Sequence, residues 1–329
     1  MTAKAELIAD RGEAASDAEF FRSRPFLDAE GATHTLKIES EEGVLVAPLV
    51  VREIEESGER DAVSPYGYPG LVGGEGRGCL LPDPLASLAL SVRTKTPPAL
   101  DPAVIDFSET GLVSVFIRHA LGPSPLAGAT ERNVVQVADP ALPRKSRPSD
   151  RRQVRRNLEA GYELELVPGP RTTPDQRAAF LAAYEQTMRR TGAADHYFFG
   201  AGYFDRILEA NRTWLVLAVA PDGEVAAASV AAVSDGYLHY YLSGSTDSHL
   251  RSAPMKSVVT RLVEHSQELG LPLNLGGGIT PGDALEEFKR GFANRQQAWL
   301  TSELICDEQK YAELSAGREA GGFFPAYRA

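Results

Sequence analysis

Cysteine is scarce: the 329 residues hold two, Cys79 and Cys306. They lie far apart and in no metal or redox spacing, which argues against a disulfide framework. Long apolar runs are missing too. The opening stretch, MTAKAELIADRGEAASDAEFF, scatters acids through its length, so neither a secretory signal nor a membrane anchor is expected, and a reducing cytoplasm fits. His34, His119, His196, His239, His249 and His265 fall in neither H-x-H nor HExxH spacing, so no metal site is expected. Gly70 to Gly78 lacks the closing Gly-Lys-Ser/Thr of a P-loop, which removes an ATP site of that kind. Around Cys79 and Ser243 nothing resembles a nucleophile elbow or a cysteine-protease signature, which argues against covalent catalysis. Positive charge is also in short supply. With 34 basic against 45 acidic residues the net charge is −11, a poor balance for a protein that coats nucleic acid.

What is present is globular: 43% apolar and 24% charged residues, enough to bury a core. The length suggests two domains, placed at residues 1–148 and 149–329. The acidity hides one exception. Between Ala141 and Ala160 stand seven basic and two acidic residues, a local +5 that leaves −16 for the remainder.

Up to Gly31 the chain reads as a short lead-in helix and loop with an aromatic cluster of Phe20, Phe21 and Phe26. His34 to Glu53 gives two β-rich runs around Glu-Glu-Gly, a hairpin signal. Ser64 to Gly78, dense in Gly, Pro and Tyr, cannot be a regular element and reads as a functional loop. Strand character returns at Leu112 to Ala120 and Asn133 to Ala138. Ser149 or Asp150 then serves as the expected N-cap, and Gly161 as the stop, of a short basic helix. A strand over Tyr162 to Val167 and helices over Pro174 to Arg190 and Ala201 to Ala210 follow. From Trp214, three strands are separated by Pro-Asp-Gly and Ser-Asp-Gly turns, an antiparallel meander. A helix over Met255 to Leu269, a short strand LPLNLG, a helix over Asp283 to Phe292 and a last strand QAWLTSELI complete the chain. The second half therefore runs β-α-α-β-β-β-α-β-α-β, an order that resembles the GNAT acyltransferase topology; the fold class is α/β (α+β).

Four stretches, in order, resemble the Fem-type aminoacyltransferases, non-ribosomal peptidyl transferases with tandem GNAT domains. They are Ser64-Pro-Tyr-Gly-Tyr-Pro-Gly, Val115-Phe-Ile-Arg-His, Tyr241-Leu-Ser-Gly-Ser, and Leu275-Gly-Gly-Gly followed by DALEEFKRGF from Asp283. The resemblance implies tandem GNAT-like domains with mixed central sheets flanked by helices. It also implies an aminoacyl-tRNA donor, no tightly bound cofactor, and an amine acceptor, small molecule or peptide, that becomes an amide. A long heptad-bearing helical hairpin of the kind found in wall-bridge enzymes is not seen, which favours a soluble acceptor. The alternative on the same fold is an acyl-CoA-dependent N-acyltransferase.

An aminoacyl ester is already activated, so aminolysis needs a positioned neutral amine and stabilisation of the oxyanion. By the resemblance, Phe288 and Lys289 are the pair at the reaction centre, with the ammonium meeting the developing charge. A surface lysine on an amphipathic helix is the competing reading. Gly276 to Gly278 permit either close ligand approach at Gly277 or a sharp turn; Asp283 is either a site carboxylate or a helix N-cap. Tyr66, Gly67 and Tyr68 are candidates for acceptor contact, against simple loop packing. Arg118 is a candidate anion contact, and Tyr241 belongs to the substrate set through its motif. Ser243 to Pro254 occupies the place where GNAT enzymes seat the pyrophosphate of coenzyme A, yet the Arg/Gln-x-x-Gly-x-Gly/Ala spacing is missing and Arg251 is followed by Ser-Ala-Pro. Arg144, Lys145, Arg147, Arg151, Arg152, Arg155 and Arg156 read as contacts to a tRNA backbone, against a solvated linker helix.

Overall fold

The computed structural model describes residues 2–9, 19–73, 99–318 and 321–329. Two compact units divide the chain, Met1–Arg132 with Trp299–Ala329, and Asn133–Ala298. In chain order the elements are β1 (Ala3–Ile8), α1 (Arg24–Ala29), β2 (His34–Ser40), β3 (Gly43–Glu53), β4 (Arg60–Val63), β5 (Val72–Gly73), β6 (Ile105–Asp106) and β7 (Ser114–Arg118). There follow β8 (Thr130–Ala138), α2 (Pro148–Glu159), β9 (Glu163–Pro168), α3 (Pro174–Thr191), α4 (Ala201–Ile207), β10 (Thr213–Val219), β11 (Val225–Ser234) and β12 (Tyr237–Ser245). The last are α5 (Met255–Leu269), β13 (Leu273–Asn274), α6 (Ala284–Arg290), β14 (Arg295–Ile305) and α7 (Glu308–Ser315).

In the first unit the strand order is β6-β1-β2-β3-β4-β7-β14, with β5 on β3. Among the described strands of this unit β1/β6 and β4/β7 pair in parallel. The expected hairpin around Glu-Glu-Gly is present, closed by Ser40 opposite Gly43. The opening residues depart from expectation: Ala3–Ile8 form a strand against β2, and among the described residues helix appears as a 3-10 turn over Phe20–Arg22 and as α1. The alternation that makes this strand is carried by Ala3 and Ala5, both buried, whose small side chains give a weak apolar signal. Leu36, Ile38, Leu49, Val115, Ile117 and Leu304 form the core with them.

From β9 to β14 the chain realises the expected order of elements. Its sheet runs β8-β13-β12-β11-β10-β9, antiparallel except for β12/β13. The two tight turns carry the positive φ that hairpins of this hand require, at Gly223, Asp235 and Gly236. Thr173 and Gln176 form a capping box at the start of α3, and Gly192 closes it in the left-handed region. Against this sheet α5 buries Val258, Val259, Leu262 and Val263, meeting Val216, Leu238 and Leu273.

Two boundaries differ from the sequence reading. The division falls at 132/133 and again at 298/299 instead of 148/149, because Thr301–Ile305 pair with Ser114–Arg118 of β7 and so return to the first unit. The N-cap of α2 is Arg147, with Pro148 in the first turn; Ser149 and Asp150 lie inside the helix, since a proline at N1 needs no amide partner and starts the helix earlier. Gly161 does follow the last turn with φ of 88°. Cys79 and residues 74–78 of the Ser64 to Gly78 loop lie outside the described residues.

Candidate functional site

The parallel strands β12 and β13 share two rungs, Leu238 with Leu273 and His239 with Asn274. Beyond them the strands part. β12 continues to Ser245 on β11, while the chain after Asn274 turns to β8, with Leu275 N donating to Gln136 O at 2.9 Å and Gln136 N to Gly276 O at 3.0 Å. The splay that a GNAT fold needs thus begins where Gly276 to Gly278 begin.

Side chains crowd those glycines. A Cβ on Gly277 would stand 2.6 Å from the Asn133 carboxamide, and one on Gly278 would stand 2.5 Å from Asp283 Oδ1. Any larger residue would force these polar groups apart. Lys289 Nζ donates to Gly277 O at 2.6 Å and would lie 3.1 Å from a Cβ on Gly276. Lys289 is only 8% exposed, so the reading of a surface lysine fails. Burial lowers its pKa to about 8, opposed by the negative charge of Asp283. At neutral pH the amine is thus still an ammonium, but one that releases its proton easily. Phe288 packs half-buried on the core of the unit, its ring 5.5 Å from that of Phe292.

Asp283 is the N-cap. Its carboxylate accepts from Glu286 N, Ile279 N and Thr280 N at 2.7, 2.7 and 3.1 Å. The bond from Glu286 N and that from Thr280 N are the main causes that hold its pKa below the ordinary carboxylate value. The same carboxylate therefore fixes the glycine turn, caps α6 and supplies negative potential to Lys289.

A second tier of residues was invisible in the sequence. His239 is buried, and burial pushes its imidazole down to about 4, against the raising effect of the Ser234 carbonyl. The ring is neutral. Since Ser234 O can only accept, Nε2 carries the proton and donates to it at 3.1 Å. Nδ1 then accepts from Asn274 Nδ2 at 3.1 Å, and Asn274 Oδ1 accepts from Gly276 N at 2.8 Å. These bonds tie the start of β12 to the first glycine. A buried asparagine inside the apolar run LPLNLG was the available signal.

Tyr241 lies on the parting strand, its hydroxyl 2.7 Å from that of Tyr203 on α4. Three residues on, Gly244 lets α3 close in: a Cβ there would stand 2.4 Å from Tyr184 backbone atoms. Between β12 and α5, Asp247–Ser252 form a 3-10 turn, Ala253 takes φ of 44°, and Pro254 leads α5.

Tyr66, Gly67, Tyr68 and Arg118 come together in the first unit. Arg118 Nη1 donates to Ser64 O at 2.7 Å and its own amide to Ser64 Oγ at 2.7 Å, so its guanidinium holds the loop. Tyr68 packs between Phe21 and Trp299, with ring centroids at 5.6 and 5.5 Å. A Cβ on Gly67 would strike the Phe21 ring at 2.5 Å. Tyr66 presents its amide to Glu30 Oε2 at 2.8 Å. Packing accounts for Gly67 and for much of Tyr68.

On α2 the arginines divide from the polar inner face. Asp150 pairs with Lys256 at 2.8 Å and Asn157 bonds Ser257 Oγ at 3.2 Å. Arg151, Arg152, Arg155 and Arg156 are exposed on the other side, as are Arg144 and Lys145 before the helix. Arg144 meets Glu264 at 3.7 Å, Arg155 meets Glu159 at 3.7 Å, Arg147 is paired with Glu287, and Arg151 donates to Ser146 O. Among the described residues Lys145, Arg152 and Arg156 have no acidic partner. No helix of the described residues is long and apolar enough to cross a membrane.

Comparison with known proteins fits this geometry. Residues 144–290, under half of the chain, match the Acetyltransferase (GNAT) domain family, so this segment has the fold of a GNAT acyltransferase. More narrowly, the chain has the fold of FemX: 89% of it superposes on 93% of that protein, with a TM-score of 0.59 at 11% identity. Such coverage exceeds the second unit and takes in the first. The C-terminal domain of a protein assigned as a lysylphosphatidylglycerol synthetase from Agrobacterium fabrum is also similar, with 89% of each chain covered, a TM-score of 0.53 and 14% identity. So is L-PGS from Bacillus licheniformis, with 91% of this chain and 94% of that one covered, a TM-score of 0.51 and 10% identity. None of the curated proteins matches the sequence.

Proposed function

We propose that this protein is an aminoacyltransferase that moves an aminoacyl group from aminoacyl-tRNA to the amine of a small-molecule or peptide acceptor, forming an amide. The observation that carries the reading is the buried Lys289 ammonium, bonded to Gly277 O at the mouth of the splay between β12 and β13. An ester carbonyl seated beside the glycines would place its oxyanion against that ammonium, in a site with little water to screen it. The acceptor amine attacks as the neutral base, the ester C–O bond breaks, the tRNA hydroxyl leaves, and the amine's proton passes to solvent or to that hydroxyl. No metal is required, because the ester is already activated. Within the second unit Tyr241 remains a proposed substrate contact and Phe288 the proposed ring partner of the ammonium; Tyr66, Tyr68 and Arg118 remain proposed contacts of the first unit.

Two further observations favour tRNA over coenzyme A as donor. Before α5 the 3-10 turn Asp247–Ser252 is followed by Pro254 at the helix start, which withholds one amide that a pyrophosphate cradle uses. The exposed arginines of α2 offer a phosphate-binding face on an otherwise acidic chain. The fold likeness to FemX is consistent with this choice. The runner-up remains an acyl-CoA-dependent N-acyltransferase.

The test is donor capture. Purified protein is mixed with total tRNA charged with labelled amino acids, and separately with labelled acetyl-CoA, at low and moderate salt. Salt-sensitive retention of one charged tRNA is the expected result and identifies the amino acid. Retention of acetyl-CoA alone overturns the donor assignment in favour of the runner-up.

A further inference from the structure

Away from the splay, the turn between β10 and β11 meets the 3-10 segment after β12. The meeting is fixed by the sheet: Thr246 N donates to Ala226 O at 3.0 Å, so residues 247–249 fold back over the start of β11. Three metal-ligating side chains converge there. One ligand atom from each of Asp222, Glu224 and His249 lies within 4.8 Å of the other two. His249 Nε2 stands 3.2 Å from Glu224 Oε2 and 3.6 Å from Asp222 Oδ2.

We propose that Asp222, Glu224 and His249 bind a divalent transition-metal ion of the zinc type. The spacing suits one. Ligand bonds of about 2.0–2.1 Å in tetrahedral array put neighbouring donor atoms about 3.3–3.4 Å apart. The two separations at His249 Nε2 straddle that value. One imidazole nitrogen with two carboxylates is a donor set for a borderline ion, and three protein ligands leave a fourth position for water.

The imidazole is also aimed. Tyr162 OH lies 2.9 Å from His249 Nδ1, and its ring meets the imidazole edge-on at 5.8 Å. Tyr162 is itself buried against Ala220 and Ala226, which flank the turn. The nitrogen facing the carboxylates is therefore Nε2, and the hydroxyl supplies the outer partner that metal-bound histidines commonly have. Ser248 Oγ reaches both Glu224 oxygens at 3.0 Å, and Asp222 Oδ1 accepts from Glu224 N at 3.0 Å, which leaves Asp222 Oδ2 directed at the imidazole. Among the described residues neither carboxylate meets a lysine or arginine; His249 is their one cationic partner, and only when protonated. A bound cation supplies the missing charge and pins the segment leading into α5 to the β10–β11 turn. The site is independent of the proposed acyl transfer.

The test is calorimetric titration of the full chain, stripped with EDTA and dialysed, with zinc chloride, alongside thermal melts with and without the ion. One ion per chain, a raised melting temperature, and loss of both in Asp222→Asn and in His249→Gln are expected. Asp222→Asn keeps an oxygen for the turn amide, so the turn survives while the charge goes. Tyr162→Phe should weaken binding by about tenfold or more. No binding by the stripped wild type, or stoichiometric binding that survives Asp222→Asn with His249→Gln, overturns the proposal; the latter places the ion elsewhere.

Discussion

Replacing Lys289 by Met tests the burial of a charge in the site without any assay of activity. The lysine pKa falls from 10.5 in the unfolded chain to about 8 in the folded one. Below pH 8 both states are protonated, and the folded state carries the whole cost of an ammonium with little water. At about 1.4 kcal/mol per pH unit, that cost is about 3 kcal/mol. As pH rises from 8 towards 10.5 the folded protein releases the proton that the unfolded chain retains, so wild-type stability climbs. Methionine fills a similar volume but strips the donor from Gly277 O, a loss of about 1–3 kcal/mol. At pH 7 the variant should therefore be as stable as wild type or up to about 2 kcal/mol more so. Its standing relative to wild type should then fall by about 3 kcal/mol across pH 8 to 10.5. Urea unfolding of both proteins at half-unit steps measures this, since other titrating groups cancel in the difference. A difference that stays constant over that range refutes the buried-ammonium account.

Other outcomes follow from the same structure. Asp61, fully buried, accepts from Arg52, Arg328 and Tyr327, at 2.6 Å from Arg328 Nε; Asp61→Ala should destabilise by about 3–5 kcal/mol because two guanidinium groups lose their partner, read from denaturant midpoints. Asn274→Ala removes the bonds to His239 Nδ1 and Gly276 N and should cost about 1–3 kcal/mol by the same measurement. Replacing Arg151, Arg152, Arg155 and Arg156 together by Ala should flatten the salt dependence of charged-tRNA binding by a slope of about 3. An unchanged slope removes α2 from the nucleic-acid face.

The sequence was most legible where local chemistry decides local structure. The Pro-Asp-Gly and Ser-Asp-Gly turns and Gly161 after α2 each announce themselves within a few residues. β1 was missed because its inward side chains are Ala3 and Ala5, and β4 because Arg60 and Asp61 look like a surface. Asp61 is buried only because Arg52, opposite it on β3, and the distant Arg328 both meet it. The same holds at the site. The glycine run and Lys289 were visible through a family resemblance, but the lysine's burial, and the relay from Ser234 through His239 and Asn274 to Gly276, depend on strand pairing. Asp222, Glu224 and His249 share no ligand spacing at all, since the sheet alone brings the turn and the 3-10 segment together.

The most direct test of the central claim is transfer itself: label from a charged tRNA, once capture has identified it, followed into an amide on amine acceptors. Wild type and Lys289→Ala are compared at equal tRNA occupancy. The account predicts an alkali-stable, labelled amide with wild type, and a rate lower by about 10²–10³-fold in the variant with tRNA binding unchanged. Transfer at the wild-type rate by Lys289→Ala would contradict the assignment of the lysine. Label moved from acyl-CoA and never from tRNA would contradict the proposed function.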